Sequence, residues 1–149
     1  MKVLDSRWLV FRAEGHPNVS ARHETTIEVT REDYLTPRGD CIIGVKSELS
    51  ARDLPEWFKE EARRGSLIVA VFCAESVCDS VVGRGSPEMS FADDKRIVLR
   101  RSAYVGPETV MIKASRAAAH LSRELVARLS RGAELEVFLA AIPVKRNSD

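Results

Sequence analysis

The sequence predicts a mainly β, β-rich α+β single domain, on three observations. Stretches in which apolar and polar residues strictly alternate recur along the chain. Helical periodicity with recognisable start and stop signals is confined to two short segments. No regular strand–helix alternation and no internal repeat is legible, which argues for a mostly antiparallel architecture of about eight strands with two flanking helices, at about 53–64 and 115–130. At 149 residues the chain fits one domain with a real core. Residues 1–144 are assigned to that domain, and the tail Lys145 to Asp149 reads as disordered.

The elements follow in order. Arg7 to Glu14 sets Trp8 and Val10 between charged or polar neighbours, a half-buried strand. Ser20 to Thr30 alternates more cleanly. Ala21, His23, Thr25, Ile27 and Val29 fall on an inward face, with Arg22, Glu24, Thr26, Glu28 and Thr30 opposite. REDYLTPRGD is a turn region, and CIIGV opens the next strand. DLPEWFKEEARRG reads as a helix: Asp53 caps it, Glu56 completes a capping-box spacing, and Leu54, Trp57, Phe58 and Ala62 form its stripe before Gly65 stops it. The unbroken apolar run Leu67 to Ala74 predicts a central strand covered on both faces. Gly83, Gly85 and Pro87 predict a bulge or a strand end. Arg96 to Val105 and Thr109 to Lys113 read as strands around the Gly106–Pro107 turn. Ser115 caps a helix running to about Leu129, with Ala118, Leu121, Leu125 and Leu129 on its apolar side and Gly132 closing it. Glu134 to Val144 supplies the last strand.

Composition narrows the function classes. With 44% hydrophobic and 30% charged residues and a net charge of +1, nothing pulls the whole molecule toward nucleic acid or membrane. The longest apolar run is far short of a bilayer span, and Asp5, Arg7 and Arg12 interrupt the start MKVLDSRWLVFR. We read no signal peptide and expect a cytoplasmic protein without a membrane partner. The absence of glutamine, the two asparagines and the excess of arginine over lysine suggest a thermophile. The cysteines form no metal-binding pattern, and no metal is expected. Cys41, followed by two isoleucines, reads as buried and inert. Cys73 and Cys78 lie opposite each other if Phe72 to Asp79 is a hairpin, close enough to bridge.

GHPNV, an HxTT sequence in a strand, LTPRGDCIIGV, GRGSP, RRSAYV and KASRAAAHLSREL together resemble an archaeal family filed as a domain of unknown function, number 371. The likeness covers nearly the whole chain, and the first forty-five residues carry its most specific motifs. It implies an antiparallel β-sandwich of jelly-roll-like character with flanking helices. It brings no activity, cofactor or catalytic residue, so the cofactor stays unknown.

Two constellations carry candidate chemistry. The first is a small-molecule site, with a small polar or anionic ligand near the GHPN turn. His23 and Thr25 lie at the end of an alternating strand, His16 and Asn18 at its rim, and Arg38 and Asp40 in the Arg-Gly-Asp turn. His16 and His23 are separated by roughly 13 Å of extended strand, which discourages a shared metal. The GHPN and Arg-Gly-Asp turns are expected at opposite ends of a strand roughly 33 Å long, unless a strong bend joins them. The second is a basic face. Residues 95–131 hold nine Lys or Arg against two acids. Arg96, Arg100 and Tyr104 share a strand face, and Arg116, His120 and Arg123 share the polar side of the last helix. Such a face suits RNA or another polyanion, through phosphate pairing and base stacking, or an oligomer contact.

Overall fold

The computed structural model describes residues 8–144 together with the backbone of Lys2 and Val3. The segment Lys145 to Asp149, read from sequence as a disordered tail, lies outside the described residues. Strands β1 (Lys2–Val3), β2 (Trp8–Glu14), β5 (Leu67–Ala74), β6 (Val77–Arg84) and β9 (Glu134–Ile142) form one sheet in the order β1-β2-β9-β5-β6. Strands β3 (Thr26–Thr30), β4 (Ile42–Gly44), β7 (Arg96–Arg100) and β8 (Thr109–Met111) form a second in the order β4-β3-β7-β8. Helices α1 (Glu56–Arg63) and α2 (Arg123–Ser130) are each preceded by a 3₁₀ turn, Ala51–Asp53 and Ala118–His120. The mainly β, two-sheet, two-helix architecture is the one the sequence predicts. All pairings are antiparallel except β3 with β4 and β7 with β8.

Alternation explains the core. Leu9, Phe11 and Ala13 of β2, Ile68, Ala70 and Phe72 of β5, and Leu135, Val137 and Leu139 of β9 point inward and meet Ile27, Val29, Ile97 and Leu99 from the second sheet. Phe58 and Ala62 of α1 and Leu125 and Leu129 of α2 join the same cluster. Each large side chain so buried stabilises the fold by roughly 1.5–3 kcal/mol. Backbone bridges between Glu14 and Val45 and between Arg84 and Ile112 join the two sheets on both sides.

Contrary to the sequence reading, the molecule is built on an internal repeat. The series β2, β3, β4, α1, β5 is followed by β6, β7, β8, α2, β9 with the same connections. Apart from the edge strand β1, both sheets are symmetric under this exchange, whose axis passes between β3 and β7 where Glu28 pairs with Val98. Unusual backbone positions recur at matching places: φ is 48° at Ala21 and 53° at Phe91, 51° at Lys46 and 52° at Lys113, and 76° at Gly65 and 89° at Gly132. The halves embrace each other. Gly15 donates its N–H to Ala133 behind α2, and Gly85 donates its N–H to Ser66 behind α1. Both glycines are required, because a Cβ at Gly85 would lie 1.9 Å from the Ala62 carbonyl oxygen and one at Gly15 2.2 Å from that of Leu129.

Several element boundaries differ from expectation for identifiable reasons. The strand expected over Ser20 to Thr30 begins only at Thr26, because Ala21 adopts a left-handed conformation and the chain loops. In consequence Thr25 is exposed and Thr26 buried, the reverse of the alternation. β7 ends at Arg100, so Tyr104 sits in a loop. The helix expected from Ser115 starts instead at Ser122, whose Oγ accepts the N–H of Leu125, while Ser115 Oγ accepts the N–H of Val82. Asp53 caps no α-helix: its carboxylate accepts the Ser50 N–H and Oγ–H in the 3₁₀ turn, and α1 begins after Pro55. β5 is central, yet its second face, Leu67, Val69, Val71 and Cys73, is only half-buried. No bulge occurs at Gly83, which lies in register within β6, where a Cβ would meet Met111 at 2.5 Å. Glu75 and Ser76, both with positive φ, form the β5–β6 turn, and Cys73 and Cys78 facing each other across it are joined as a disulfide.

Candidate functional site

The bend that shortens β3 brings the GHPN and Arg-Gly-Asp turns together, where the sequence placed them far apart. Asn18 Nδ2 donates to the Leu35 carbonyl at 2.7 Å. The Asp40 carbonyl accepts the N–H groups of Arg22 and His23 at 3.0 and 3.2 Å. Between the two turns lies a cleft of about 450 Å³ lined by Pro17, Asn18, Val19, Ser20, Arg22, Pro37 and Asp40. Arg38 is exposed on the same loop, but it does not line the cleft. Among the described residues neither Arg22 nor Asp40 has an ion-pair partner.

The cleft belongs to one half of the repeat. Pro17, Asn18, Ser20, Arg22 and Asp40 correspond to Pro87, Glu88, Ser90, Ala92 and Pro107, so its cation and its acid have no equivalents. The loop segment Asp33 to Arg38, whose Pro37 lines the cleft, stands where the other half has only Ala103 to Val105. The ends of the two loops match: Lys46 N–H bonds to Glu32 as Lys113 N–H does to Ser102, and Ile42 N–H to Gly39 as Thr109 N–H does to Gly106.

The histidines hold turns. His16 Nδ1 accepts the Asn18 N–H at 3.0 Å, His23 Nδ1 the Thr25 N–H at 3.2 Å, and His120 Nδ1 the Ala117 N–H at 2.9 Å. These bonds leave the ring proton on Nε2. At the matching places Ser86 Oγ accepts from Glu88, Asp93 Oδ1 from Lys95, and Asp53 Oδ2 from Ser50. A histidine whose bond is made equally well by serine or aspartate acts there as a short polar acceptor. Thr25 Oγ1 lies 3.3 Å from His23 Nδ1 and 3.2 Å from Thr26 Oγ1, making a short chain at the surface.

The outer face of the second sheet carries the most perturbed electrostatics. Glu108, buried, pairs with Arg100 and lies 3.7 Å from Arg96, which also holds Asp93 at 3.0 Å. Arg100 in turn lies over the Tyr104 ring at 4.9 Å. Glu28 sits in the middle of this face, and burial raises its pKa; Arg96 opposes the shift, while Asp93, Glu108 and Glu32 add to it. Arg96 and Arg100 already balance Asp93 and Glu108, so Glu28 is the surplus acid. Burial, with Glu28 and Asp40 nearby, pushes the Cys41 thiol up to about 12, so it is held as the unreactive thiol. Sequence reasoning missed Glu28 and Glu108, reading the first as a solvent-facing strand residue.

The arginines expected to form a basic face are each engaged by other groups. Arg116 pairs with Asp79, and the Arg123 guanidinium donates to the carbonyls of Leu121, Ala118 and Ala21. Arg96 and Arg100 serve the cluster above. Among the described residues no group of three or more His, Cys, Asp or Glu could hold a metal ion, and no helix is long and apolar enough to cross a membrane.

Comparison with known proteins agrees with the motifs. An uncharacterised protein of Methanocaldococcus jannaschii, MJ0206, is 41% identical over 126 residues, which is 85% of this chain and 93% of the relative. The family model described as a domain of unknown function, DUF371, matches residues 11–142, both halves of the repeat, and the chain belongs to that family.

Proposed function

We propose that the protein binds a small polar or anionic ligand in the cleft between the GHPN turn and the Arg-Gly-Asp loop. One observation carries this reading: two motifs apart in sequence converge on a cleft whose charged residues, and the longer loop that supplies its Pro37, have no counterpart in the other half. A scaffold needs the turn geometry, which both halves have. It does not need Arg22, Asp40 or the added residues among Asp33 to Arg38. The volume of about 450 Å³ lies within the range of small-molecule sites. Arg22 supplies a charged fork for a carboxylate or phosphate, Asn18 Oδ1 and Ser20 Oγ supply orienting hydrogen bonds, and Pro17 and Pro37 stiffen the rims. His16 and His23 maintain the turns that present these groups. We read these lining residues as a binding set, since among the described residues the Ser20 hydroxyl makes no hydrogen bond to Asp40 or to a histidine that would activate it.

The test is thermal unfolding of the full chain against a panel of free amino acids, small carboxylates and inorganic phosphate, followed by calorimetry on any hit. We expect a hit whose affinity falls at least about tenfold in Arg22→Ala, the loss of one charge-assisted contact. A hit that binds Arg22→Ala unchanged, or a panel with no hit, rejects the assignment.

A further inference from the structure

A second cleft, of about 520 Å³, lies on a different part of the surface, where the end of α1 meets the end of β6 and the residues after β9. Glu61, Arg64, Gly65, Ser66, Arg84, Pro143 and Val144 line it. Arg64 and Arg84 come from different elements, both are exposed, and among the described residues neither has an ion-pair partner. Glu61, the one acid among the lining residues, accepts the Ser66 hydroxyl through Oε2 at 2.5 Å, and the lining carries two cations against this one carboxylate. The last α1 carbonyls are covered by the N–H groups of Arg64 and Gly65. This offsets the partial negative charge that a helix C-terminus would present.

Comparison of the halves singles out Arg84. At the end of β2, Glu14 pairs with Lys46 at 3.5 Å, beside the bridge from Glu14 to Val45. At the matching end of β6 the residue is Arg84, beside the bridge from Arg84 to Ile112, and the matching lysine is Lys113. This change of sign removes the acid that partners the lysine on the other side, while Arg64, which corresponds to Arg131, is common to both halves. Two guanidiniums without an ion-pair partner in one cleft attract an anion.

We propose that this cleft binds a phosphorylated small molecule of about nucleotide size. Its phosphate sits between the guanidiniums of Arg64 and Arg84, and its remainder lies along Pro143 and Val144. The guanidinium fork matches phosphate oxygens two at a time, which a lysine pair would not do. Val144, 43% exposed beside Pro143, offers an apolar rest for a sugar or base. The volume exceeds what a bare inorganic ion fills.

The experiment is calorimetry of the full chain with inorganic phosphate, adenosine monophosphate and adenosine, each at low and high salt, on the wild type and on Arg84→Glu, Arg64→Ala and Arg131→Ala. Arg84→Glu restores the Glu14–Lys46 arrangement against Lys113, so it folds and unfolds at a higher temperature than the wild type. The monophosphate is expected to bind, more weakly in salt, at least about tenfold better than adenosine, and at least about tenfold worse to Arg84→Glu and Arg64→Ala. Arg131→Ala, which removes the exposed counterpart of Arg64 in the other half and touches neither cleft, leaves it unchanged. Equal binding of adenosine and its monophosphate, or undiminished binding by Arg84→Glu, overturns the proposal. So does the absence of monophosphate binding at millimolar concentration.

Discussion

In the first half of the molecule His16 and His23 hold the turns that Ser86 and Asp93 hold in the second, and in the second half His120 does what Asp53 does in the first. The backbone asks at each place for one acceptor within reach of an N–H two or three residues away, and several side chains supply it. Elsewhere the halves differ in kind. Arg22 and Asp40 face Ala92 and Pro107 across the repeat, Glu14 faces Arg84, and Glu28 faces Val98. Residues that the two halves share in role build the scaffold. Charged groups without a like-charged counterpart mark one cleft at Arg22 and Asp40, the other at Arg84, and the polar sheet face at Glu28. The histidines, which attract attention first, fall in the scaffold class.

The largest expected effect tests whether the halves are equivalent as scaffold. Gly15→Ala and Gly85→Ala each drive a methyl into a helix-end carbonyl of the opposite half, and neither backbone can yield without parting the two halves. Each is expected to cost about 3 kcal/mol or more in denaturant unfolding, with similar losses. A mild loss at one glycine alone would show that only one crossing holds the halves together.

Next in size is a covalent asymmetry. Cys73 and Cys78 tie β5 to β6, while the matching pair, Ala140 and Trp8, joins β9 to β2 without a covalent bond. Cys73→Ser with Cys78→Ser is expected to lower stability by about 2 kcal/mol, the loop-closure value for so short a ring. Reductant should lower the unfolding midpoint of the wild type by the same amount and leave the double variant unmoved. Smaller still, His16→Ala, His23→Ala and His120→Ala should each cost about 1 kcal/mol, the scale of a lost turn or cap bond. His16→Ser, His23→Asp and His120→Asp, which import the other half's acceptor, should recover most of it. Failure of all three rescues would mean the rings do more than accept one N–H.

Strand alternation made β2, β9 and the inner face of β5 legible, because burial of one face is what the alternation records. It misled at Ala21, His23 and Thr25. There the period of two continues through a loop held by a left-handed alanine and a ring nitrogen, and neither has a sequence signature. The helix starts were misplaced because Asp53 and Ser115 have cap chemistry but use it on a 3₁₀ turn and on β6. The repeat was hidden because GHPNVSA and GSPEMSF keep only a glycine, a proline and a serine in common, and the loops that follow differ in length. Asn18 and Asp40 were identifiable as candidate site residues. Their meeting was not, since it depends on that same bend. Glu28 and Arg84 gave no signal, because what distinguishes them is the residue across the repeat axis.

The smallest effect separates Glu28 from its apolar counterpart Val98 and is read through pH. Burial raises the Glu28 pKa, and the nearby Asp93, Glu108 and Glu32 outnumber the Arg96 that opposes the shift. The native state therefore holds this proton more tightly than the unfolded chain. The stabilisation is whole below the ordinary glutamate range and is lost as pH rises through the folded-state value. Glu28→Gln, permanently neutral, should match the wild type in acid and exceed it from neutral pH upward. Asp93 supplies the opposite sign: burial raises its pKa, but the N–H groups of Lys95 and Arg96 and the Arg96 guanidinium outweigh this and lower it. Its stabilisation is present above the ordinary aspartate range and fades as pH falls through the folded-state value, so Asp93→Asn should lose stability at neutral pH and converge with the wild type in acid. Unfolding free energies of the three proteins between pH 3 and 9 should thus diverge upward for one variant and downward for the other. A Glu28→Gln curve running parallel to the wild type throughout would show Glu28 already solvated in the native state, and the polar sheet face would then hold no surplus proton.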